Sequence, residues 1–340
     1  MRSERYYYNT LSRSGREAYD AMRQGFSSLS ASIRTPVPES IGLGEILFLL
    51  KLDDPEIFFV KGCSWRRTAG AEHCELIPEY MFDRQRIREH RKAIDARLEK
   101  LLRPAAGLSP EEKEKYVHDF ICRSVRYDKL EKSYSHEIIG PLQNGVGVCE
   151  GIAKTVQLMC TRLGLECMIA VSVADPEMPG GYMHAWNIVT IGGRQYHLDA
   201  TFDATLSRGG EIRYDYYNLD DTHIFRDHRP LRYPAPECTD GDKAYYRTAK
   251  MSLTREEDCA RRVIQAIKRK KPEFVFHWRG GYLTRQKLLE INGPIEQAAR
   301  SLGRGLSYSV NWPQAVVKLT FTEPGQTSIK TDNAEEEERS

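Results

Sequence analysis

The most constraining feature of this sequence is a glycine-rich stretch that ends in a cysteine and leads directly into an apolar segment. Residues 145–151 read Gly-Val-Gly-Val-Cys-Glu-Gly, and from position 152 apolar side chains recur at helical intervals until Gly164. This pattern predicts a buried helix that begins at Cys149. The unpaired amides and the positive dipole end of such a helix favour a thiolate at its first residue and can hold an oxyanion. The sequence therefore predicts a nucleophile at Cys149.

Two later segments carry the other groups that a thiol nucleophile needs. Residues 182–187 read Tyr-Met-His-Ala-Trp-Asn, and residues 195–201 read Gln-Tyr-His-Leu-Asp-Ala-Thr. His184 is the predicted base, because an imidazole can take the proton of a neighbouring thiol. Asp199 is the predicted carboxylate that sets the orientation and tautomer of this imidazole. His197, on the same face as Asp199, is the alternative base.

The connection between these segments predicts how the base and the carboxylate meet. Gly192 and Gly193 favour a two-residue turn, which would make a hairpin of strands at 182–190 and 194–199. Residue 186 then faces 199, so His184 and Asp199 lie on one face as diagonal neighbours, about 7–8 Å apart at the backbone. A slip of one residue would place them on opposite faces.

Each of these residues also has a structural interpretation. A cysteine at a helix start is often an inert core residue, a histidine within a strand is often a satisfied polar group, and Asp199 could cap a turn. Together and in this order, Cys149, His184 and Asp199 favour a functional site. Gln143, six positions before Cys149, is either an oxyanion-binding amide or an ordinary polar loop residue.

Composition restricts the partners and the compartment. The formal net charge of +2 gives no reason to expect nucleic acid or an anionic membrane surface as a partner. The eight cysteines form no C-x-x-C pairs, so we expect reduced core thiols, no zinc cluster and no cofactor. The N-terminal residues lack the apolar core of a secretory signal, which predicts a cytoplasmic protein unless a leader has been removed.

Helix-breaking residues and changes in composition divide the sequence into four predicted regions. An N-terminal α+β region covers 1–105 and ends after a charge-rich helix at 82–103. The core covers 106–250, a C-terminal α+β region covers 251–322, and an acidic tail at 323–340 is predicted to be disordered because it carries few apolar residues.

Capping residues, prolines and glycines also predict several individual elements. Ser109, Pro110 and Glu112 predict a capped helix start. A strand is expected at 57–60, and strands with ordered loops at 203–250. A helix from Thr284 is expected to break at Asn292-Gly293-Pro294 and to resume to about residue 302.

Three segments resemble the motifs of a known family. GVGVCEGIAKTVQLMC, HAWNIV and YHLDATFD are similar to the three motifs of the transglutaminase-like superfamily, above all its bacterial branch, and the similarity extends over roughly 110–250. The resemblance implies a papain-like α+β core in which a nucleophile helix packs on an antiparallel sheet. It also implies that Cys149, His184 and Asp199 are the catalytic triad.

The resemblance implies acyl transfer on peptide or protein amides through a thioester on Cys149. Water as acceptor would make the protein a peptidase, amidase or deamidase, and a lysine amine would make it a crosslinking enzyme. Trp186 follows the family pattern either as a core aromatic or as a wall of the cleft. The alternative function is that of an interaction protein whose transglutaminase-like core is catalytically silent.

Overall fold

Internal contacts divide the chain into two compact units. The computed structural model describes residues 5–68, 70–175, 183–207, 211–324 and 327–331. The first unit is Met1–Gly193 with Leu231–Ala235, and the second is Arg194–Pro230 with Pro236–Ser340. The domain boundaries near residues 105 and 250 stay predictions. Among the described residues, no helix combines the length and the apolar character that crossing a bilayer requires.

The first unit mixes helices with short sheets. Its helices are α1 (Tyr6–Thr10), α2 (Arg13–Ser27), α3 (Leu43–Asp53), α4 (Arg84–Leu102), α5 (Pro110–Ser124) and α6 (Cys149–Arg162). Its strands are β1 (Ile33–Pro36), β2 (Val60–Arg66), β3 (His73–Tyr80), β4 (Arg126–Tyr127), β5 (Val146–Gly147), β6 (Cys167–Val171) and β7 (Ala185–Ile191).

The second unit continues the alternation of helices and strands. Its helices are α7 (Ala200–Leu206), α8 (Asp221–Ile224), α9 (Tyr245–Thr248), α10 (Glu256–Lys268) and α11 (Arg285–Ser301). Its strands are β8 (Arg194–Leu198), β9 (Tyr217–Leu219), β10 (Ser252–Leu253), β11 (Glu273–Trp278), β12 (Gly305–Asn311), β13 (Val316–Thr322) and β14 (Thr327–Thr331).

The centre of the first unit is α6, packed on the antiparallel pair β6 and β7. Residues 151–160 of this helix are all buried, including the polar residues Lys154, Thr155 and Gln157, so the whole helix, and not only its apolar stripe, is enclosed by the fold. The side-chain amide of Asn187 in β7 donates to the carbonyl oxygen of Ala153 in α6 at 3.0 Å. The fold class is thus the expected one, α+β with a helix at the predicted nucleophile packed on antiparallel strands.

The core of the second unit lies between a five-stranded sheet and two helices. The strand order is β10-β11-β13-β12-β14, and α10 and α11 bury Val263, Ile291 and Ile295 against it. Contrary to the prediction, α11 is continuous through Pro294. The buried residues on both sides of the proline keep the helix intact, because tertiary packing outweighs the one backbone bond that proline removes.

Three further predictions were wrong in detail. Residues 55–57 form a 3₁₀ turn, and the strand begins only at Val60. In the described part of the region 203–250, helices α8, α9 and most of α7 accompany one short strand, β9. His184 lies just before β7 rather than within a strand, and Asp199 follows β8. The hydrophobic periodicity of these segments is weak, so no pattern in the sequence decides between helix, strand and loop.

The acidic tail is partly ordered. β14 pairs in parallel with β12, with Leu306 opposite Thr327, so the prediction of disorder was wrong for these five residues. A strand can form main-chain hydrogen bonds with its neighbour whatever side chains it carries, so the composition of the tail does not reveal this pairing. Residues 332–340, which include Glu335–Glu338, lie outside the described residues, as does residue 182 of the predicted hairpin.

Candidate active site

Cys149 is the first residue of α6. Its N-cap, Val148, has extended backbone angles (φ −87°, ψ 172°), and the cap side chain makes no hydrogen bond. The first-turn amides of the helix are therefore not taken up by a capping side chain, in contrast to α5, where Ser109 and Glu112 form the predicted capping box. Cys149 is only 5% exposed. The thiol thus lies at a buried helix start with amide donors close by.

Two glycines make this helix start sterically feasible. Gly145 has a φ of +64°, which favours a residue without a Cβ atom. At Gly151, a Cβ atom would lie 2.1 Å from the carbonyl oxygen of Ser135, in the 3₁₀ turn that crosses the helix. The glycine that follows Glu150 is therefore required for close packing of α6 against this turn.

A buried ion network lies against the same helix turn. The Lys154 ammonium group is 2.9 Å from Glu137 and 2.7 Å from Glu150, and Lys51 also contacts Glu137 at 2.6 Å. Burial opposes the charge on Lys154, but the two carboxylates outweigh it and raise the pKa of this lysine. Burial likewise opposes ionisation of Glu150, and Lys154 lowers its pKa. Neighbours of opposite charge thus hold the first turn of α6 in place.

His184 is held at the end of the β6–β7 pair. Its backbone N–H donates to the hydroxyl of Ser172 at 2.9 Å, and its carbonyl oxygen accepts from the Ser172 amide at 2.9 Å. The imidazole stacks on the Trp186 indole, with ring centroids 5.8 Å apart and an interplanar angle of 17°. His184 is 7% exposed and Trp186 only 1%. Trp186 is therefore a core aromatic that also contacts the predicted base.

Asp199 caps α7 in the second unit. One carboxylate oxygen accepts from the backbone amides of Thr201 and Phe202, at 2.9 and 3.1 Å. The other lies 2.9 Å from Nε2 of His228. The turn-cap interpretation of Asp199 is thus correct, and it does not conflict with a second role in orienting a base.

His228 is a residue that sequence reasoning missed. Its Nδ1 lies 3.0 Å from Asp227, so both ring nitrogens face carboxylates. Burial opposes protonation, but Asp199 and Asp227 outweigh it and raise the pKa of His228 above 6.5. The only signal in the sequence was the adjacent Asp-His pair, in a region of weak periodicity.

Gln143 lies in a π-helical turn over Gly140–Asn144. Its Oε1 is 2.9 Å from Nδ1 of His90 in α4, while its Nε2 is buried and has no hydrogen-bond partner among the residues described. A buried amide N–H without an acceptor is costly unless a ligand supplies one. His90 was not predicted, because α4 was expected to be a solvated charged helix.

The predicted site residues are divided between the two units. Cys149, His184, Gln143 and Trp186 belong to the first unit, and Asp199 belongs to the second. The alternative base, His197, lies with its Nε2 2.8 Å from Asp221 in the second unit. The catalytic triad and the hairpin register that would assemble it stay predictions. Both connecting glycines have positive φ, 61° and 79°, as a tight two-residue turn requires.

Known proteins resemble part of this chain. The sequence profile of the transglutaminase-like superfamily matches residues 100–200. Curated protein sequences provide no match. Among solved structures, a TGase is 13% identical, with 50% of each chain covered and a TM-score of 0.29. A structure described as a candidate cysteine protease from Cytophaga hutchinsonii is 12% identical, with 42% of this chain and 61% of that chain covered and a TM-score of 0.27.

A third structure, described as a candidate protease from Parabacteroides distasonis, is 12% identical over 40% of this chain and 35% of that chain, with a TM-score of 0.24. This chain thus covers half of the TGase and 61% of the Cytophaga protein. The segment matched by the superfamily profile contains Cys149, His184 and Asp199. The chain therefore carries a transglutaminase-like core within residues 100–200.

Proposed function

We propose that this protein is a cysteine-dependent acyl-transfer enzyme that acts on peptide or protein amides. Cys149 is the nucleophile, His184 the base and Asp199 the residue that orients the base. The observation that carries the proposal is the position of Cys149 as first residue of the buried helix α6, within the matched segment and without a capping side chain. Amides at such a helix end can hold the oxyanion that forms when the sulfur attacks a carbonyl.

The reaction has two halves. His184 takes the thiol proton, and the sulfur adds to the amide carbonyl carbon to form a tetrahedral oxyanion. The oxyanion collapses as the C–N bond breaks, and the leaving amine takes the proton from His184. The acyl group remains on Cys149 as a thioester. Water or a primary amine then attacks the thioester, gives its proton to His184, and releases the acyl product while the thiol is restored.

Two groups in the first unit suit the oxyanion. The first-turn amides of α6 are not used by a cap side chain, and Nε2 of Gln143 is a buried donor without a described acceptor. His90 holds the other end of this amide at 2.9 Å, which fixes the direction of the donor. Preorganised donors of this kind are commonly the largest contribution to acyl-transfer catalysis.

The position of His184 suits its proposed task. The two backbone hydrogen bonds with Ser172 fix its main chain, and stacking on Trp186 restricts the ring. A base whose ring is held before the substrate arrives loses little entropy during proton transfer. We favour hydrolysis over transamidation, because water needs no dedicated amine-binding site.

The proposal is tested by iodoacetamide labelling as a function of pH, with the modified cysteine located by mass spectrometry. We expect Cys149 to react below pH 7 and faster than Cys63, which is more exposed and serves as internal control. His184→Ala should slow labelling of Cys149 and leave Cys63 unchanged. Slow labelling of Cys149 with the pH profile of an ordinary thiol would contradict the proposal.

The acceptor is determined in a second experiment. Wild type and Cys149→Ala are incubated with a peptide pool, with and without a biotinylated primary amine, and the products are identified by mass spectrometry. Cleaved or deamidated peptides indicate water as acceptor, and biotinylated peptides indicate an amine. Both products should be absent with Cys149→Ala.

A catalytically silent interaction protein is the second candidate. The observation that favours it is the low exposure of Cys149 and His184, 5% and 7%, since a protein substrate must reach both groups. Labelling separates the two candidates: a poised thiolate reacts quickly with a small reagent, and an inert core thiol does not.

A further inference from the structure

A second group of reactive side chains lies in the second unit, separate from the residues proposed for acyl transfer. It consists of a ring nitrogen of His197, a carboxylate oxygen of Asp221 and the sulfur of Cys238, which all lie within 4.8 Å of one another. His197 and Cys238 are fully buried, whereas the Asp221 side chain is 37% exposed. The proposed reaction assigns no role to this group.

The backbone holds the three donors in place. His197 in β8 pairs with Leu219 in β9, and Asp221 follows two residues later at the start of α8. The amide of Asp221 donates to the carbonyl oxygen of Cys238 at 2.8 Å, and the amide of Cys238 donates back to the Asp221 carboxylate at 3.1 Å. These reciprocal hydrogen bonds hold the two segments against each other, so the side chains need to move little to bind one ion together.

We propose that His197, Asp221 and Cys238 bind one Zn²⁺ ion. Imidazole nitrogen, carboxylate oxygen and thiolate sulfur are the donors that zinc takes in proteins, while a thiol and an imidazole are poor ligands for Mg²⁺ or Ca²⁺. The thiolate and the carboxylate together neutralise the dication, which limits the cost of placing charge in a buried site. The fourth, tetrahedral position is filled by water, which reaches the site past the partly exposed Asp221.

Binding changes the protons of the cluster in a defined way. The Cys238 thiol loses its proton to solvent as the S–Zn bond forms, and His197 binds through the Nε2 lone pair with its proton on Nδ1. The ion replaces the present contact of 2.8 Å between Nε2 and Asp221. Zinc–ligand bonds of about 2.0–2.3 Å place the donors roughly 3.3–3.6 Å from one another. His197 and Asp221, now at 2.8 Å, would move apart, and any pair of donors near the 4.8 Å limit would move closer.

Sequence spacing explains why this group was not predicted. The ligands are 24 and 17 positions apart, and no pair has the close spacing by which zinc sites are recognised in a sequence. The site depends on the pairing of β8 with β9 and on the return of the chain past α8. The proposed ion would cross-link these segments close to Asp199, and would stabilise the second unit whether or not the protein is an enzyme.

The test is metal analysis of the full chain, followed by Co²⁺ substitution. We expect about one zinc per chain after purification without chelators. Co²⁺ added to the metal-free protein should give the near-ultraviolet absorption of a thiolate–Co²⁺ bond. Cys238→Ser should abolish this band and weaken zinc binding by more than about 10-fold, the effect of losing even an outer-shell partner. Cys149→Ser is the matched control and should retain the band.

The control separates this proposal from the proposed function. A band lost with Cys149→Ser and kept with Cys238→Ser would overturn the zinc site, as would a protein that takes up no metal. X-ray absorption of the zinc-loaded wild type gives a check that needs no variant: one sulfur with nitrogen or oxygen neighbours supports the site, and a shell without sulfur overturns it. Labelling of Cys149 is a separate readout, so either proposal can fail alone.

Discussion

The carboxylate of Asp199 performs several tasks within its own unit. It accepts two backbone amides at the start of α7 and the imidazole N–H of His228. A residue with this set of bonds is expected to be rigid, and rigidity is what a residue that orients a catalytic imidazole needs. The structural and the catalytic interpretation of Asp199 are therefore compatible.

The pH dependence of stability should report His228. Burial opposes its charge, but Asp199 and Asp227 raise its pKa in the folded protein. Its stabilising contribution is therefore complete below the unfolded pKa of about 6.5 and is lost as pH rises through the folded pKa. Urea unfolding of wild type and His228→Asn across pH 5–9 should show the largest stability difference at low pH. A difference that grows with rising pH would contradict this assignment.

Gln143 provides a test of the oxyanion site. Removing one such donor lowers kcat by about 10²–10³-fold in acyl-transfer enzymes, and we expect a loss of this order for Gln143→Ala on any amide substrate found in the peptide screen. Iodoacetamide labelling of Cys149 should be unchanged, because the alkylation develops no oxyanion.

Asn144, in the same turn, is the control for Gln143. Its side-chain amide donates to the Ile139 carbonyl oxygen at 3.3 Å, so Asn144→Ala should lower stability and leave kcat unchanged. An unchanged kcat in Gln143→Ala, or equal losses in both variants, would exclude Gln143 as an oxyanion donor.

At the scale of elements, the start of α6 depends on close contact with the 3₁₀ turn Ser133–His136. Gly151→Ala places a Cβ atom 2.1 Å from the Ser135 carbonyl oxygen, and backbone cannot yield as a side chain does. Overpacking of this kind costs about 1–3 kcal/mol and occasionally more. Chemical denaturation should show a loss in that range or above, together with slower labelling of Cys149.

Gly62 in β2 is the matched control for Gly151. Nothing lies within 4 Å of the Cβ position there, so Gly62→Ala should change the free energy of unfolding by no more than about 0.5 kcal/mol. Equal stability of both variants would show that the turn can move away from α6.

Element prediction succeeded where a local pattern decides the structure. The capping box at Ser109 and Glu112 formed as expected, and the helix predicted to begin at Cys149 is α6. The break predicted at Pro294 failed, because burial of Ile291 and Ile295 in the sheet-facing side of α11 holds the helix together. A helix breaker is a local signal, and tertiary packing can override it.

At the scale of the whole molecule, each unit contains its own buried aromatic residues. Their contribution to stability can be tested by replacing one aromatic side chain with alanine. Phe276 is fully buried in the core of the second unit, and Phe276→Ala should lower its free energy of unfolding by about 3–5 kcal/mol. Tyr282, 93% exposed, is the control, with an expected change within about 0.5 kcal/mol. Tryptophan fluorescence, to which Trp278 and Trp312 of the second unit contribute, follows the transition. Equal effects of the two variants would contradict the assigned core.

The sequence by itself determined the features that depend on neighbours along the chain: the helix that begins at Cys149, the glycines that precede it, the capped start of α5 and the α+β class. These follow from helical periodicity, capping chemistry and backbone sterics, which act within a few residues. It also supplied Cys149, His184 and Asp199 as candidates, through the chemistry that a thiol nucleophile needs and the spacing of the predicted hairpin, and through a resemblance carried by three short motifs.

Only the tertiary structure decided which distant side chains meet. His228 reaches Asp199 from 29 positions away, His90 reaches Gln143 from 53 positions away, and Cys238 joins His197 and Asp221 through the return of the chain. No local pattern encodes these contacts, because they form only when strand pairing and burial bring distant segments together. A polar group that is buried in this way is costly without a hydrogen-bond partner, so the side chains pair.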